Sequence, residues 1–143
     1  MAHIKNLFAA TCRGALVSLL VCMLGIVALG NSPGGASAVK TPVAQSVRAT
    51  TSGAATLIVI TGTAPMAYAV RRPDARHLVV ELPGVDGSQL SPTYNITSAL
   101  VEGVSVKQTL RGSNPVASLH VALRAAVRER SRMDGSQLMV ELT

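Results

Sequence analysis

The feature that most constrains the fold is a twelve-residue segment that occurs twice. "RRPDARHLVVEL" occupies positions 71–82, and "SRMDGSQLMVEL" occupies 131–142. The copies align at a constant offset, which matches Arg72 to Arg132, Asp74 to Asp134 and Glu81 to Glu141. In each copy a short turn separates two stretches that can extend as strands, and apolar residues alternate in the second stretch. Each copy therefore predicts a strand, a turn and another strand.

An apolar segment precedes each copy and predicts a further strand. "TLIVIT" begins at Thr56, and "VASLHVALR" begins at Val116. Each half of the chain then has three strands, and three strands with one apolar face are not stable alone in water. Two such units can bury their apolar faces against each other. The predicted fold is all-β: a small β-sandwich of two pseudo-symmetric, roughly three-stranded sheets, over residues 55–143.

Two segments are harder to interpret. "ALRAAVRER", at 122–130, contains good helix formers, and a helix would align Arg124, Arg128 and Arg132. A strand would instead place positions 128, 130 and 132 on one face. The repeat favours the strand, because the first copy has an alternating strand at the matching position. Between Ser91 and Gly103, we expect one helical turn around "TSALVEG".

The N-terminal region predicts export. Lys5 and Arg13 precede the apolar run "GALVSLLVCMLGIVALG", and the small-residue sequence "ASA" ends at Ala38. This order is typical of a secretory signal peptide, here assigned to residues 1–38, with cleavage after Ala38 or, alternatively, after Gly30. A retained anchor helix is the rival interpretation. The apolar run as a helix reaches only about 22 Å, against a hydrocarbon core of about 30 Å, which favours cleavage.

Residues 39–54 predict a flexible linker. Small and polar residues dominate this stretch, and no apolar period is visible. Without Lys5 and Arg13 the basic residues fall from 13 to 11 against seven acidic residues, which leaves a net charge of about +4. A mild charge of that sign favours solubility or, alternatively, attraction to an anionic polymer such as the cell wall or to a membrane surface.

The ordered set of segments resembles one known family. "PDARHLVVELPGV", "ALVEGVSVKQ", "VASLHVALR" and "DGSQLMVEL" follow one another as in the AMIN domain, the N-terminal module of periplasmic N-acetylmuramoyl-alanine amidases and type IV pilus secretins. The resemblance covers roughly 56–142. It implies a symmetric β-sandwich in the periplasm that binds peptidoglycan or is localised to it. It departs from the family where His77 and Gln137 replace an Arg, and Glu81 and Glu141 replace an Asp.

Catalysis is not expected. Hydrolytic zinc sites need three protein ligands, and residues 39–143 contain only His77 and His120, no cysteine and no HExxH. No GxSxG is present. The sequence therefore predicts a protein that is not an enzyme and has no cofactor and no metal site. Nucleic acid is not an expected partner either, because Tyr68 and Tyr94 are the only aromatic residues in this part for stacking on bases.

Binding would depend on charge and hydrogen bonds, since Arg pairs bidentately with carboxylates such as those of wall peptides. The expected partner is peptidoglycan, and the alternative function is a protein-interaction component of a type IV pilus secretin or another envelope assembly. Contact with a membrane is expected only through an uncleaved N-terminal segment, which would anchor the chain in the inner membrane. With no amidase or secretin sequence after Thr143, we expect either a free-standing module or a truncated larger protein. The candidate ligand-binding residues are Arg71, Arg72, His77, Glu81, Arg111, Arg124, Arg128, Gln137 and Glu141.

Overall fold

Nine β-strands and no helix make up residues 40–143, the part of the chain that the computed structural model describes. The all-β prediction is confirmed for these residues, and the predicted signal segment at 1–38 lies outside them. Within 40–143 no helix is long and apolar enough to cross a membrane. The strands are β1 (Ala44–Ser52), β2 (Ala55–Gly62), β3 (Ala69–Asp74), β4 (His77–Pro83), β5 (Thr93–Tyr94), β6 (Val101–Arg111), β7 (Asn114–Leu123), β8 (Glu129–Asp134) and β9 (Gln137–Leu142).

The strands form two antiparallel sheets. Sheet I has the order β1-β2-β9-β8, and sheet II has the order β3-β4-β7-β6-β5. Alternate residues of the central strands point into one shared core, because successive side chains of a strand point to opposite faces. Leu78 of sheet II and Leu138 of sheet I are both fully buried there. Ile60 and Leu119 join them in the same apolar cluster.

The two halves of the chain exchange strands between the sheets. β2, from the first half, pairs with β9, from the second, while β7 pairs with β4. The expectation of roughly three strands per sheet is corrected to four and five, and each sheet combines both halves. The apolar strand that precedes each copy of the repeat also has a hairpin partner. β1 pairs with β2, and β6 pairs with β7.

The exchanged pairs are related by the sequence repeat. Val80 of β4 pairs with Leu119 of β7, and its counterpart Val140 of β9 pairs with Ile58 of β2. Likewise Leu78 pairs with Val121, as Leu138 pairs with Ile60. The internal repeat is therefore a pseudo-two-fold arrangement of strand ladders. All of these side chains are buried, so the core itself follows the repeat.

The predicted linker at 39–54 is wrong over most of its length. Residues Ala44–Ser52 form β1, which pairs with β2 from Ala44–Gly62 to Ser52–Ala55. Ala44 and Val47 are buried, and the remaining residues of the strand are mainly polar. The strand is held by backbone pairing to its neighbour and by two apolar contacts, which explains why no apolar period was visible in the sequence.

A β-bulge distinguishes β3 from its counterpart β8. Arg71 pairs with Val79 and Asp74 pairs with His77, so two residues of β3 face one residue of β4 between these points. Pro73 lies in this interval, and proline, which has no backbone N–H, is accommodated on edge strands and at bulges. β8 pairs with β9 without such an interruption. Arg71, rather than Arg72, therefore occupies the position equivalent to Arg132, which pairs with Met139.

The two ambiguous segments have different outcomes. The strand interpretation is confirmed where β8 begins at Glu129, while residues 124–128 form a bend and an extended connection. The helical turn expected around "TSALVEG" is wrong, because this stretch contains no helix and β6 begins at Val101. The Ser98 hydroxyl accepts hydrogen bonds from the backbone N–H groups of Leu100 and Val101, at 3.2 and 2.9 Å, and this local capping replaces a helical turn.

Candidate ligand-binding faces

The outer face of sheet I carries charged side chains around an apolar strip. Leu138, Val140 and Leu142 point into the core, so the alternate residues of β9 point outward. In the ladders, Met139 lies between Val59 and Arg132, while Glu141 lies between Leu57 and Arg130. The outward residues of four strands thus form one continuous surface.

This surface contains a groove of about 540 Å³. Leu57 of β2 and Met139 of β9 supply its apolar floor, and both are partly buried. Arg130 and Arg132 lie on the β8 side, and the hydroxyl groups of Thr50 and Ser52 lie on the β1 side. The groove can accommodate an extended ligand with apolar atoms against the floor and polar groups at both walls.

The arginines of this groove are available for a ligand. Arg130 and Arg132 are exposed, and among residues 40–143 neither forms an ion pair within 4.0 Å. Glu141 lies opposite Arg130 on the neighbouring strand but is likewise outside ion-pair distance of it. Two guanidinium groups on alternate residues of one strand can bind a carboxylate or phosphate, and each can do so bidentately. The groove is therefore suited to an anionic ligand.

The equivalent face of sheet II differs in its charges. The Arg71 guanidinium forms an ion pair with Glu81 at 3.1 Å. Ala69 lies opposite Glu81, where sheet I has Arg130 opposite Glu141. The bulge at Pro73 shifts β3 by one residue and so places Ala69 at that position. This face of sheet II consequently has no pair of arginines like Arg130 and Arg132, the two arginines of sheet I that form no ion pair within residues 40–143.

Sheet II instead has a shallow depression of about 370 Å³ lined by both histidines of the described region. His77 Nδ1 lies 2.9 and 2.8 Å from the two carboxylate oxygens of Asp74. The backbone N–H of Arg76 also donates to Asp74 Oδ1 at 2.7 Å, and this bond, followed by the one from His77, lowers the pKa of Asp74. Partial burial, and then the charge of Lys107, lower the pKa of His120 below its ordinary value of 6.5.

The nine candidate residues do not form one site. Arg71, His77 and Glu81 lie on the outer face of sheet II, while Gln137 and Glu141 lie on that of sheet I, with the core between them. The remaining four lie away from both faces. Arg72 is paired with Glu129, Arg111 lies at the β6–β7 turn, and Arg124 and Arg128 flank the connection between β7 and β8.

Sequence reasoning placed Glu141 among the candidates but missed the arginines beside it. The signal was present in the strand interpretation of the 122–130 segment, which put positions 128, 130 and 132 on one face. Arg130 and Arg132 were missed because their groove also needs β2, and the sequence does not show that β2 lies beside β9. The apolar floor of Leu57 and Met139 was missed for the same reason, since these residues are far apart in the chain.

Among residues 40–143, no group of three or more His, Cys, Asp or Glu side chains is placed to hold a metal ion. No family model matches the chain, and no curated protein is significantly similar to it in sequence.

Proposed function

We propose that this protein is a non-catalytic module of the cell envelope that binds peptidoglycan through the groove of sheet I. The observation that carries the proposal is that Arg130 and Arg132, beside an apolar floor, form no ion pair with any residue of 40–143. Wall peptides are short, extended and rich in carboxylates, and Arg binds carboxylates with two parallel hydrogen bonds. The floor can receive the aliphatic parts of such a peptide, and the hydroxyl groups of Thr50 and Ser52 can bond to its backbone.

The sequence supports the same proposal. The ordered segments resemble the AMIN domain, a family whose members are placed on peptidoglycan. The signal-like N-terminal segment favours export to the periplasm, where the wall lies. The positive charge of residues 39–143 favours approach to an acidic polymer at low ionic strength.

Co-sedimentation with isolated sacculi tests this function. The protein is expected in the pellet at low salt, and Arg130→Gln with Arg132→Gln should move most of it to the supernatant. Arg111→Gln is the control, because it removes the same kind of charge from the β6–β7 turn of the other sheet. Complete recovery of the unaltered protein in the supernatant would contradict the proposal, as would equal losses from the groove and control variants.

A second function, protein interaction within a secretin or related envelope assembly, is favoured by the β6–β7 hairpin. Leu110 on this hairpin is 72% exposed. Beyond Val106, β6 pairs with β7 on one side, and no strand within 40–143 lies on its other side. An open strand edge with an exposed apolar residue can accept a strand of another protein.

Leu110→Asp separates the two functions. If the hairpin binds a secretin, this change should abolish co-purification with the secretin and leave sacculus binding intact. If sacculus binding is the function, only the groove variants should matter. Co-purification that survives Leu110→Asp would remove the support for the hairpin.

A further inference from the structure

We propose that the depression on sheet II binds a divalent transition-metal ion, with His77 and His120 as its protein ligands. The site lies on the opposite face from the sheet I groove and does not depend on the proposed function. It also departs from the sequence-based expectation that no metal is bound.

The strand register brings the two imidazoles together. His77 of β4 lies opposite Ala122 of β7, and His120 of β7 lies opposite Val79 of β4. The two histidines are therefore diagonal cross-strand neighbours on the same outward face. Residues in this relation are roughly 7–8 Å apart, within reach of long or aromatic side chains. Both residues line the same depression.

Asp74 prepares His77 for metal binding. An ionised carboxylate can only accept hydrogen bonds, so the ring nitrogen facing it, Nδ1, must carry the proton. In the neutral ring the lone pair of His77 is then on Nε2, the nitrogen available to an ion. Histidines that bind metals commonly donate their other ring N–H to a carboxylate, which fixes the ring orientation and raises its basicity.

His120 approaches the depression from the neighbouring strand. It pairs with Val79 of β4 and with Ser105 of β6, so its side chain lies on the same outward face as that of His77. Asn95 and Ser105 also line the depression and can supply an amide and a hydroxyl oxygen. Imidazole ligands favour Zn²⁺, Ni²⁺ or Cu²⁺ over Mg²⁺ and Ca²⁺.

The repeat supplies matched variants. Gln137 is the counterpart of His77, and Val59 is the counterpart of His120, since Val59 pairs with Met139 as His120 pairs with Val79. His77→Gln and His120→Val therefore install side chains that this fold already carries at equivalent positions. Both changes are expected to leave the fold intact.

The test is a titration of the full chain with zinc near pH 7, monitored by calorimetry and by the NMR signals of the imidazole rings. His3, Cys12 and Cys22 are outside the described residues, and His3→Gln, Cys12→Ser and Cys22→Ser in the background remove competing ligands. The expected result is saturable binding that shifts both the His77 and His120 signals. His77→Gln or His120→Val should each weaken binding at least tenfold, and Asp74→Asn should weaken it several-fold.

Two results would overturn the site. One is that the NMR signals of His77 and His120 do not shift when zinc is added to the chain in which both histidines are intact. The other is that the His77→Gln/His120→Val double variant binds zinc as tightly as its background. Thermal unfolding of each variant without zinc verifies that a lost affinity is not a lost fold.

Discussion

Arg72 on β3 and Glu129 on β8 form an ion pair that joins the edge strands of different sheets. Tyr68 supports the same junction, since its hydroxyl donates to the Ser131 carbonyl at 3.4 Å. β3 and β8 are counterparts in the repeat, so the pair lies where the two repeats meet. The bulge at Pro73 frees Arg72 for this contact by giving Arg71 the outward position.

The Arg72–Glu129 pair should contribute modestly to stability. Its side chains are 30% and 34% exposed, and exposed ion pairs contribute about 0.2–1 kcal/mol. A double-mutant cycle with Arg72→Ala and Glu129→Ala, measured by urea unfolding, should give a coupling free energy in that range. Added salt should reduce it. A coupling near about 3 kcal/mol would show instead that the pair is effectively buried.

The repeat predicts equal costs for truncation of its two central leucines. Leu78 and Leu138 are both 0% exposed and pair with buried β-branched residues in equivalent ladders. Leu78→Ala and Leu138→Ala should each lower the free energy of unfolding by about 2–5 kcal/mol. Leu110→Ala, at a 72% exposed position, is the control and should change it little. A large cost at only one of the two buried sites would mean that the two halves do not share the core equally.

Gly87 lacks room for a side chain. A Cβ there would lie 2.8 Å from Ala117 Cβ and 2.8 Å from Gln108 Oε1, the atom that accepts the Gly87 N–H bond. Gly87→Ala should therefore destabilise the protein by about 1–3 kcal/mol in thermal or urea unfolding. Gly103→Ala is the matched change, because a Cβ there meets nothing within 4 Å. Equal stability of the two variants would contradict this packing.

His120 should titrate below 6.5, chiefly because it is partly buried and lies near Lys107. Between the folded and unfolded pKa values the unfolded chain binds more protons, so stability rises with pH in that window. This contribution is complete above pH 6.5 and is lost as the pH falls through that window. NMR titration of the imidazole measures the pKa, and Lys107→Gln should raise it. A pKa above 6.5 would mean that Glu81 outweighs the other groups.

β1 should be required for stability even though its sequence is mostly polar. It pairs with β2 along most of its length and contributes the buried Ala44 and Val47. We expect a chain of residues 54–143 to unfold at a much lower urea concentration than a chain of residues 40–143. Loss of β1 also leaves β2 without a neighbour on that edge, where Ile60 pairs with Val47 and Ile58 pairs with Ala49. Equal urea midpoints for the two chains would show that β1 does not contribute to stability.

The alternation of apolar residues was enough to predict the core strands. Leu78, Val80 and Leu82 alternate along the second stretch of the first copy, and all three are buried. The repeat also resolved the helix-like segment before Arg130, because a strand was needed at the position matching the first copy. Local composition alone favoured a helix there, and long-range pairing with β9 decides the outcome.

The sequence could not predict features that depend on which strands become neighbours. β1 has only two buried apolar residues, so its strand conformation comes from pairing with β2 rather than from its own pattern. The spacing of apolar residues within one segment does not show that strands are exchanged between the two halves of the chain. The groove combines Leu57 with Arg130 and Met139, and only that exchange brings Leu57 beside the other two. The bulge at Pro73 further separates Arg72 from the position that alignment assigns to it.

The pairing of Thr56 with Leu142 has a consequence for folding. β2 and β9 are far apart in the chain, so a long loop must be closed before sheet I can form, and such pairings form slowly. Until then the apolar strands of the first repeat lack their final neighbours, a state prone to association with other chains. A chaperone that shields β2 during this interval would raise the yield of native protein.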